Sequence, residues 1–487
     1  MSKYIKIGLA TILAVIVLIM GGNLLVEKKI RDKLQEINGY KIETASIDVN
    51  LLTRSVSAVD IDIDDTLKNT FSIKKIALSG ISITSLFGSD SIVIGELKVE
   101  NLDALLHRKK SRKNSSKKQK QLIIKKLVLK DTRFTYKDTT EKNIVKTEKI
   151  NGHVFDLHIN PASEHKKIDY KKIDFEVDNV LLPMNYYQNF LVGKLILKDD
   201  YIKTASVKIK TIYDKNELQK HLKTERDWIS LTIDSLNIYN YKRDKLNENY
   251  TYSSEKIDII QGNLEVYRDK GLPDDTRYKP LYSKALRNLP FDIDVPELNI
   301  YKSRITYEEK VNDSPGKIVF TDVSSTIKNI NTLKEDGETL IDIESKFMGD
   351  ADFKLLWKFN INNKADFFTL HGKMEHLNAE KINDFVEPNM NIITSGSITS
   401  LLFDVDANEN NATGTFQMKY DDFVVNIKKK NKNVVNKFIS TIANIFVKNT
   451  KEDNEKVDIK VERNKEKSFF NYFWLCVREG TIQTVLK

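Results

Sequence analysis

Cysteine is nearly absent: Cys476 is the single one in 487 residues. An internal disulfide framework and any Cys-based zinc site are thereby excluded. Proline and glycine are also sparse, 8 and 18 respectively, which argues against a collagenous, Pro-rich or low-complexity architecture. No G-x-S-x-G, P-loop, G-x-G-x-x-G or H-E-x-x-H string occurs. The histidines His153/His158 and His371/His376 lie five apart, a spacing that puts them on opposite faces of a strand, so they read as surface residues. Asp64/Asp65 and Asp421/Asp422 fall where turns are expected, and Asp in a turn needs no catalytic explanation. The chain reads as a non-enzyme with no cofactor and no metal site.

A net charge of +9 invites a nucleic-acid reading, above all at the basic run from His107 to Gln121. That run contains no aromatic residue on which a base could stack, so nucleic acid is set aside as a partner. Two readings stay open there: a solvated loop between strands, or contact with anionic headgroups.

Against these absences stand 40% hydrophobic and 30% charged residues, the balance of an ordered body with at most one anchor. Residues Ile7–Val26 form an apolar run of twenty without a charge, the length of a membrane-crossing helix. No A-x-A-like cleavage site follows it, which favours an uncleaved anchor over a signal peptide. The cluster Lys28, Lys29, Arg31 and Lys33 outnumbers Lys3 and Lys6, yet long domains translocate largely regardless of flanking charge.

Beyond a short helical stalk the pattern takes the period of a half-buried strand. Ala45, Ile47 and Val49 alternate with polar residues, as do Val59, Ile61 and Ile63, and later stretches such as "SLTIDSLNIYNY" repeat the pattern. Helical spacing is confined to two late windows. One places Phe438, Ile439, Ile442, Ile445 and Phe446 on a face; the other is "SFFNYFWLCVREGTIQTVL".

One phrase is written twice. "LVLKDTRFTY" begins at Leu127 and "LNIYKSRITY" at Leu298, with Arg, Thr and Tyr at matching offsets. In each, the apolar residues change parity midway, at Lys130–Asp131–Thr132 and at Tyr301–Lys302–Ser303. A change of this kind marks a turn or a bulge, and each copy is expected to be a strand, turn, strand unit. A long repetitive sheet with few helices must close, pair with a second sheet, or leave an apolar trough.

The apolar N-terminal run, the "xLxIxxxRIxYxx" units and the strings "SGSITSLLF" (Ser395 to Phe403) and "ATGTFQMKYDDF" (Ala412 to Phe423) resemble the AsmA-like proteins of Gram-negative envelopes. The resemblance implies a mainly β fold: an elongated, repetitive antiparallel sheet forming an open groove, with an N-terminal transmembrane helix and a few amphipathic helices at the C-terminal end. It implies residues 1–6 in the cytoplasm, 7–26 as a single-pass inner-membrane anchor, 27–390 as the repetitive β-groove body in the periplasm, and 391–487 as the AsmA-like C-terminal region. It carries no catalytic residue across. The implied role is to shield or carry phospholipid acyl chains for envelope maintenance, with phospholipid and the membrane as partners. The alternative is a ligand-free structural or interaction scaffold of the envelope built from β-sandwich domains. The groove-lining candidates are Leu127, Leu129, Phe134, Tyr136, Leu298, Ile300, Ile305 and Tyr307. Phe469, Phe470, Phe473 and Trp474 form an aromatic stripe that either contacts the membrane or caps the sheet.

Overall fold

A computed structural model describes residues 40–50, 52–65, 68–82, 91–108, 121–160, 168–246, 249–311, 313–427, 450–451 and 455–486. The anchor expected at 7–26, the helical window at 436–449 and the basic residues 109–120 lie outside them. Among the described residues no helix is long and apolar enough to cross a membrane.

The chain is mainly β, and its internal contacts divide it into two compact units, Met1–Ser206 and Val207–Lys487. The first holds β1 (Tyr40–Asn50), β2 (Ser55–Asp65), β3 (Thr70–Ser79), β4 (Ser91–His107), β5 (Gln121–Lys137), β6 (Asn143–Ile159), β7 (Ile168–Asp169), β8 (Lys172–Pro183) and β9 (Gln188–Lys198). The division falls inside β10 (Tyr201–Thr211). The second holds β11 (Trp228–Tyr239), β12 (Lys242–Leu246), β13 (Asn249–Ser253), β14 (Lys256–Asp269), β15 (Asp292–Lys310) and β16 (Pro315–Asn331). It continues through β17 (Glu338–Phe347), β18 (Ala351–Asn360), β19 (Phe368–Asn378), β20 (Ile392–Ala407), β21 (Asn411–Ile427), β22 (Thr450–Lys451) and β23 (Val457–Glu462). Within each unit the sheet is open and does not close into a barrel.

The expectation of an antiparallel sheet is corrected to a mixed one. Most neighbours are antiparallel, but β4 runs parallel to β5, and β14 runs parallel to β15. A parallel pair requires the chain to cross back before it can pair. In the second unit residues 270–291 make that return and carry the short helix Tyr282–Arg287. The two repeated phrases occupy equivalent places: β5 and β15 each have a parallel neighbour on one side and an antiparallel one, β6 or β16, on the other.

Neither phrase is a strand, turn, strand unit. Each is one continuous strand interrupted by a bulge four residues after its leading Leu. Asp131 takes φ 51° and Lys302 takes φ 49°, left-handed values, and the register to the antiparallel neighbour slips there. The bulged residue leaves the strand's alternation by one place, so apolar side chains before and after it stay on one face. Neighbouring strands do the same at the same level. Gln261 of β14 and Asp322 of β16 are also left-handed and flank Lys302, as Asn101 of β4 flanks Asp131.

In the first unit one face is a packed core. Val49, Val56, Leu78, Leu97, Leu127, Val154 and Ile173 pair in register across β1, β2, β3, β4, β5, β6 and β8. Ile73, Ile94 and Ile124 in the same cluster have no exposed surface. Apolar area removed from water in this way, at roughly 25 cal/mol per Å², is the main force holding the strands together.

Candidate functional site: an apolar face covered at one end

Cross-strand partners share a face of the sheet, so the register of the second unit can be read as rows. The first row runs Ile238, Ile257, Leu298, Ile327, Ile341, Trp357, Leu370 and Val405. The second runs Leu236, Ile259, Ile300, Ser325, Ile343, Leu355, Gly372, Phe403 and Phe416. Beyond the bulge a third follows: Leu231, Leu264, Ile305, Phe320, Phe347 and Ala351. A fourth holds Ile229, Val266, Tyr307 and Ile318. Without the bulge at Lys302, Ile305 and Tyr307 would face the other way from Leu298 and Ile300.

The opposite face is polar at the same level. Asn237, Asp258, Asn299, Thr326 and Asp342 pair in register. Asn299 donates to Asp258 Oδ1 at 3.3 Å and to Glu297 Oε1 at 2.7 Å, and accepts from Thr326 Oγ1 at 3.0 Å. Lys256 reaches Asp258 Oδ1 at 3.3 Å, and this contact raises the lysine's pKa. Asn237, Asp258 and Asn299 are buried because each is covered by its hydrogen-bonded neighbours.

Cover over the apolar face is unequal. At the β18–β23 end it is complete: Trp357, Leu370, Phe403, Val405 and Phe416 are buried. The helix Phe469–Leu486 lies over them. Phe469 stacks on Trp357, Phe473 packs against Phe403 at 5.5 Å, and Tyr472 and Cys476 are buried beside them. Gly480 lets the helix approach the strand, because a Cβ there would meet the Phe416 ring at 2.2 Å. The returning segment adds Leu281 and Leu286 to the same cluster and sets Tyr282 edge-on to Trp357 at 5.4 Å. Burial there pushes the Cys476 thiol up to about 12. Charges tie helix to segment: Lys467 contacts Asp274 at 2.7 Å and Glu225 at 3.3 Å, and Lys270 contacts Glu225 at 2.7 Å.

Toward β11 the burial of the same rows is less complete among the described residues. Leu236, Ile238, Ile257, Ile259, Leu298, Ile300 and Ile327 are only half-buried, although their rows continue unbroken into the closed core. Seven aliphatic side chains of one face, in contact with each other by register, thus keep part of their surface open to solvent.

The eight groove candidates separate accordingly. Leu127 and Tyr136 are buried in the first unit's core at 3% and 6% exposure, with Leu129 and Phe134 packed against it. Leu298, Ile300, Ile305 and Tyr307 are half-buried on the second unit's apolar face, and Tyr307 packs against Phe385 and its neighbours. Of the aromatic stripe, Phe469 is buried, Phe473 packs on the core, Trp474 meets Phe385 edge-on at 6.5 Å, and Phe470 is exposed. Leu236, Ile238, Ile257, Ile259 and Ile327 were not foreseen, though "SLNIY", "KIDII" and "STIKN" carry the same alternation as the repeated phrase. Among the described residues no group of three His, Cys, Asp or Glu is placed to hold a metal.

A scan of protein-family models finds no match to this chain, and a search of curated proteins finds none either.

Proposed function

We propose that this chain is a carrier that shields phospholipid acyl chains along the half-open end of its second unit's apolar face. The observation that carries the reading is the continuity of the Ile238–Val405 and Leu236–Phe416 rows. One end of each row is roofed by the chain's own aromatic helix, and the other end offers the same aliphatic surface without it. An acyl chain laid against Ile257, Leu298 and Ile327 removes that surface from water, at about 0.8 kcal/mol per buried methylene. The polar ladder on the other face, its groups satisfied by one another, gives the two faces different chemistry.

The resemblance to AsmA-like proteins supports the same reading and adds its setting: anchored through residues 7–26 in an inner membrane, with the bulk of the chain in the periplasm, serving envelope maintenance. No catalytic step is required, since moving a lipid along a groove breaks no bond.

A scaffold of closed sheets is the second reading, favoured by the fully packed core of the first unit, where Ile73, Ile94 and Ile124 have no exposure. Extraction of the detergent-free full chain followed by mass spectrometry separates the two. Phospholipid recovered at about one or more molecules per chain supports the carrier. Folded protein free of lipid overturns it in favour of the scaffold.

A further inference from the structure

One end of the second unit carries a rim of exposed apolar side chains: Tyr250, Tyr278, Tyr282, Leu333, Phe367 and Phe470 are between 37% and 63% exposed. Register and hydrogen bonds place them together. β13 pairs with the first residues of β15, Thr251 beside Asp292, which sets Tyr250 at that end. β16 finishes there, Asn331 beside Asp294, and Leu333 follows. Asn362 donates to Thr332 O at 3.2 Å and Lys334 O at 2.8 Å, tying in the loop that holds Phe367. Arg287 holds Asp366 at 2.9 Å and Asn363 O at 3.1 Å, bringing the helix of Tyr282 to the same loop. Tyr282 and Phe470 meet at 6.5 Å, and Tyr278 donates to Glu409 in the β20–β21 turn at 2.7 Å.

Single exposed apolar residues are ordinary. Here six are gathered, whereas Tyr301 and Leu402 lie mid-strand, and Ile212 follows the last residue of β10. The rim also borders the apolar rows, because Tyr282 and Phe470 both touch Phe469, which stacks on Trp357.

Its charges are of both signs. Asp366, Glu409 and Asp275 are each joined to an arginine, Arg287, Arg463 and Arg277. Exposed Lys334, Lys364 and Lys465 stand among exposed Glu335, Asp336 and Glu466. Arg243 lies 4.1 Å over the Tyr250 ring and Lys284 lies 4.8 Å over Tyr278, so the cations nearest the rings extend along them. Tyrosine and phenylalanine with adjoining cations, on a surface where acids and bases are interspersed, have the chemistry of the interface between headgroups and acyl chains.

We propose that this rim docks on a phospholipid bilayer by inserting its rings at headgroup depth, delivering the apolar face to the membrane. The proposal rests on the acyl-chain reading for its purpose and on the rim alone for its contact. Binding through rings rather than net charge works on zwitterionic lipid and resists salt, unlike a polybasic patch.

The test uses the full chain reconstituted in one vesicle population and a second, fluorescent population of pure phosphatidylcholine. Wild-type proteoliposomes should capture the second population, with less than a twofold change between 0.05 and about 0.5 M salt. A triple variant, Leu333→Ser, Phe367→Ser and Phe470→Ser, should lower capture at least tenfold while its melting temperature and retained lipid stay near wild type. Absence of capture, capture confined to anionic vesicles and abolished by salt, capture that needs membrane protein in the second population, or an unaffected triple variant each overturns the proposal. Loss of retained lipid from wild type with capture intact would instead sink the carrier reading and leave the rim standing.

Discussion

Trp357 of β18 and Phe469 of the last helix lie face to face, their ring centroids 4.2 Å apart and their planes 6° from parallel. This stack marks the edge of the last helix's cover over the apolar rows. On one side of it the aromatic helix fills the space; on the other, aliphatic side chains in the same rows stay half-open.

Phe469→Ala should therefore cost about 3–5 kcal/mol, the usual cost of truncating a buried aromatic. Phe470→Ala, one residue along and exposed, should stay within about 0.5 kcal/mol of wild type. Denaturant midpoints of the two variants check the pair. Equal effects would place the helix elsewhere than on Trp357.

The bulge predicts opposite results for two changes at one position. Lys302→Gly removes the strain of a left-handed β-carbon and should stabilise by up to about 1 kcal/mol. Deleting Lys302 turns Ile305 and Tyr307 to the polar face and should abolish folding. Circular dichroism melts decide. A deletion variant that melts like wild type would mean the bulge does not set the faces.

Cys476 is a built-in reporter of the helix. Its folded pKa is raised above its unfolded value by burial, so the stability from keeping the thiol neutral is fully present below the unfolded pKa, about 8.5, and is lost as pH rises toward about 12. At pH 8 the native thiol should resist iodoacetamide for hours, and denatured protein should react within minutes. Gly480→Val, forced against Phe416, should lift the helix and bring native labelling close to the denatured rate. Unchanged protection in that variant would contradict the close approach.

Asp274 titrates in the other direction. Its hydrogen bond from Lys467 holds its carboxyl below the ordinary range. A depressed folded pKa stabilises above the unfolded value, about 3.9, and the contribution is lost as pH falls through the folded value. Asp274→Asn should melt slightly below wild type at pH 6, and the gap should close by about pH 2. A gap that persists at pH 2 would show that packing, not the ion pair, is responsible.

Strand alternation made the β class and the inner faces legible, and the midway change of parity in "LVLKDTRFTY" and "LNIYKSRITY" located Asp131 and Lys302 to within a residue. It left turn and bulge undecided, because both shift parity by one; only the pairing to β4 and β14, resumed in the same register beyond Asp131 and Lys302, settles the matter. The parallel pairs were hidden because a crossover such as 270–291 looks like any loop between strands. Trp357 was in reach, since Leu355, Trp357 and Phe359 alternate. That Leu127 is enclosed while Leu298 is half-open depends on what packs above each, which no local pattern records. Asn299 reads as a surface residue, yet partners on its own strand and on the two adjacent strands cover it.

The central claim is that lipid lies on one face of the second unit. A photo-crosslinking residue placed at Leu298, and separately at its neighbour Glu297 on the polar face, tests it in the full chain within intact cells. Irradiation followed by mass spectrometry should give a phospholipid adduct from position 298 and none from 297. No adduct from 298, or equal adducts from both, would contradict the account.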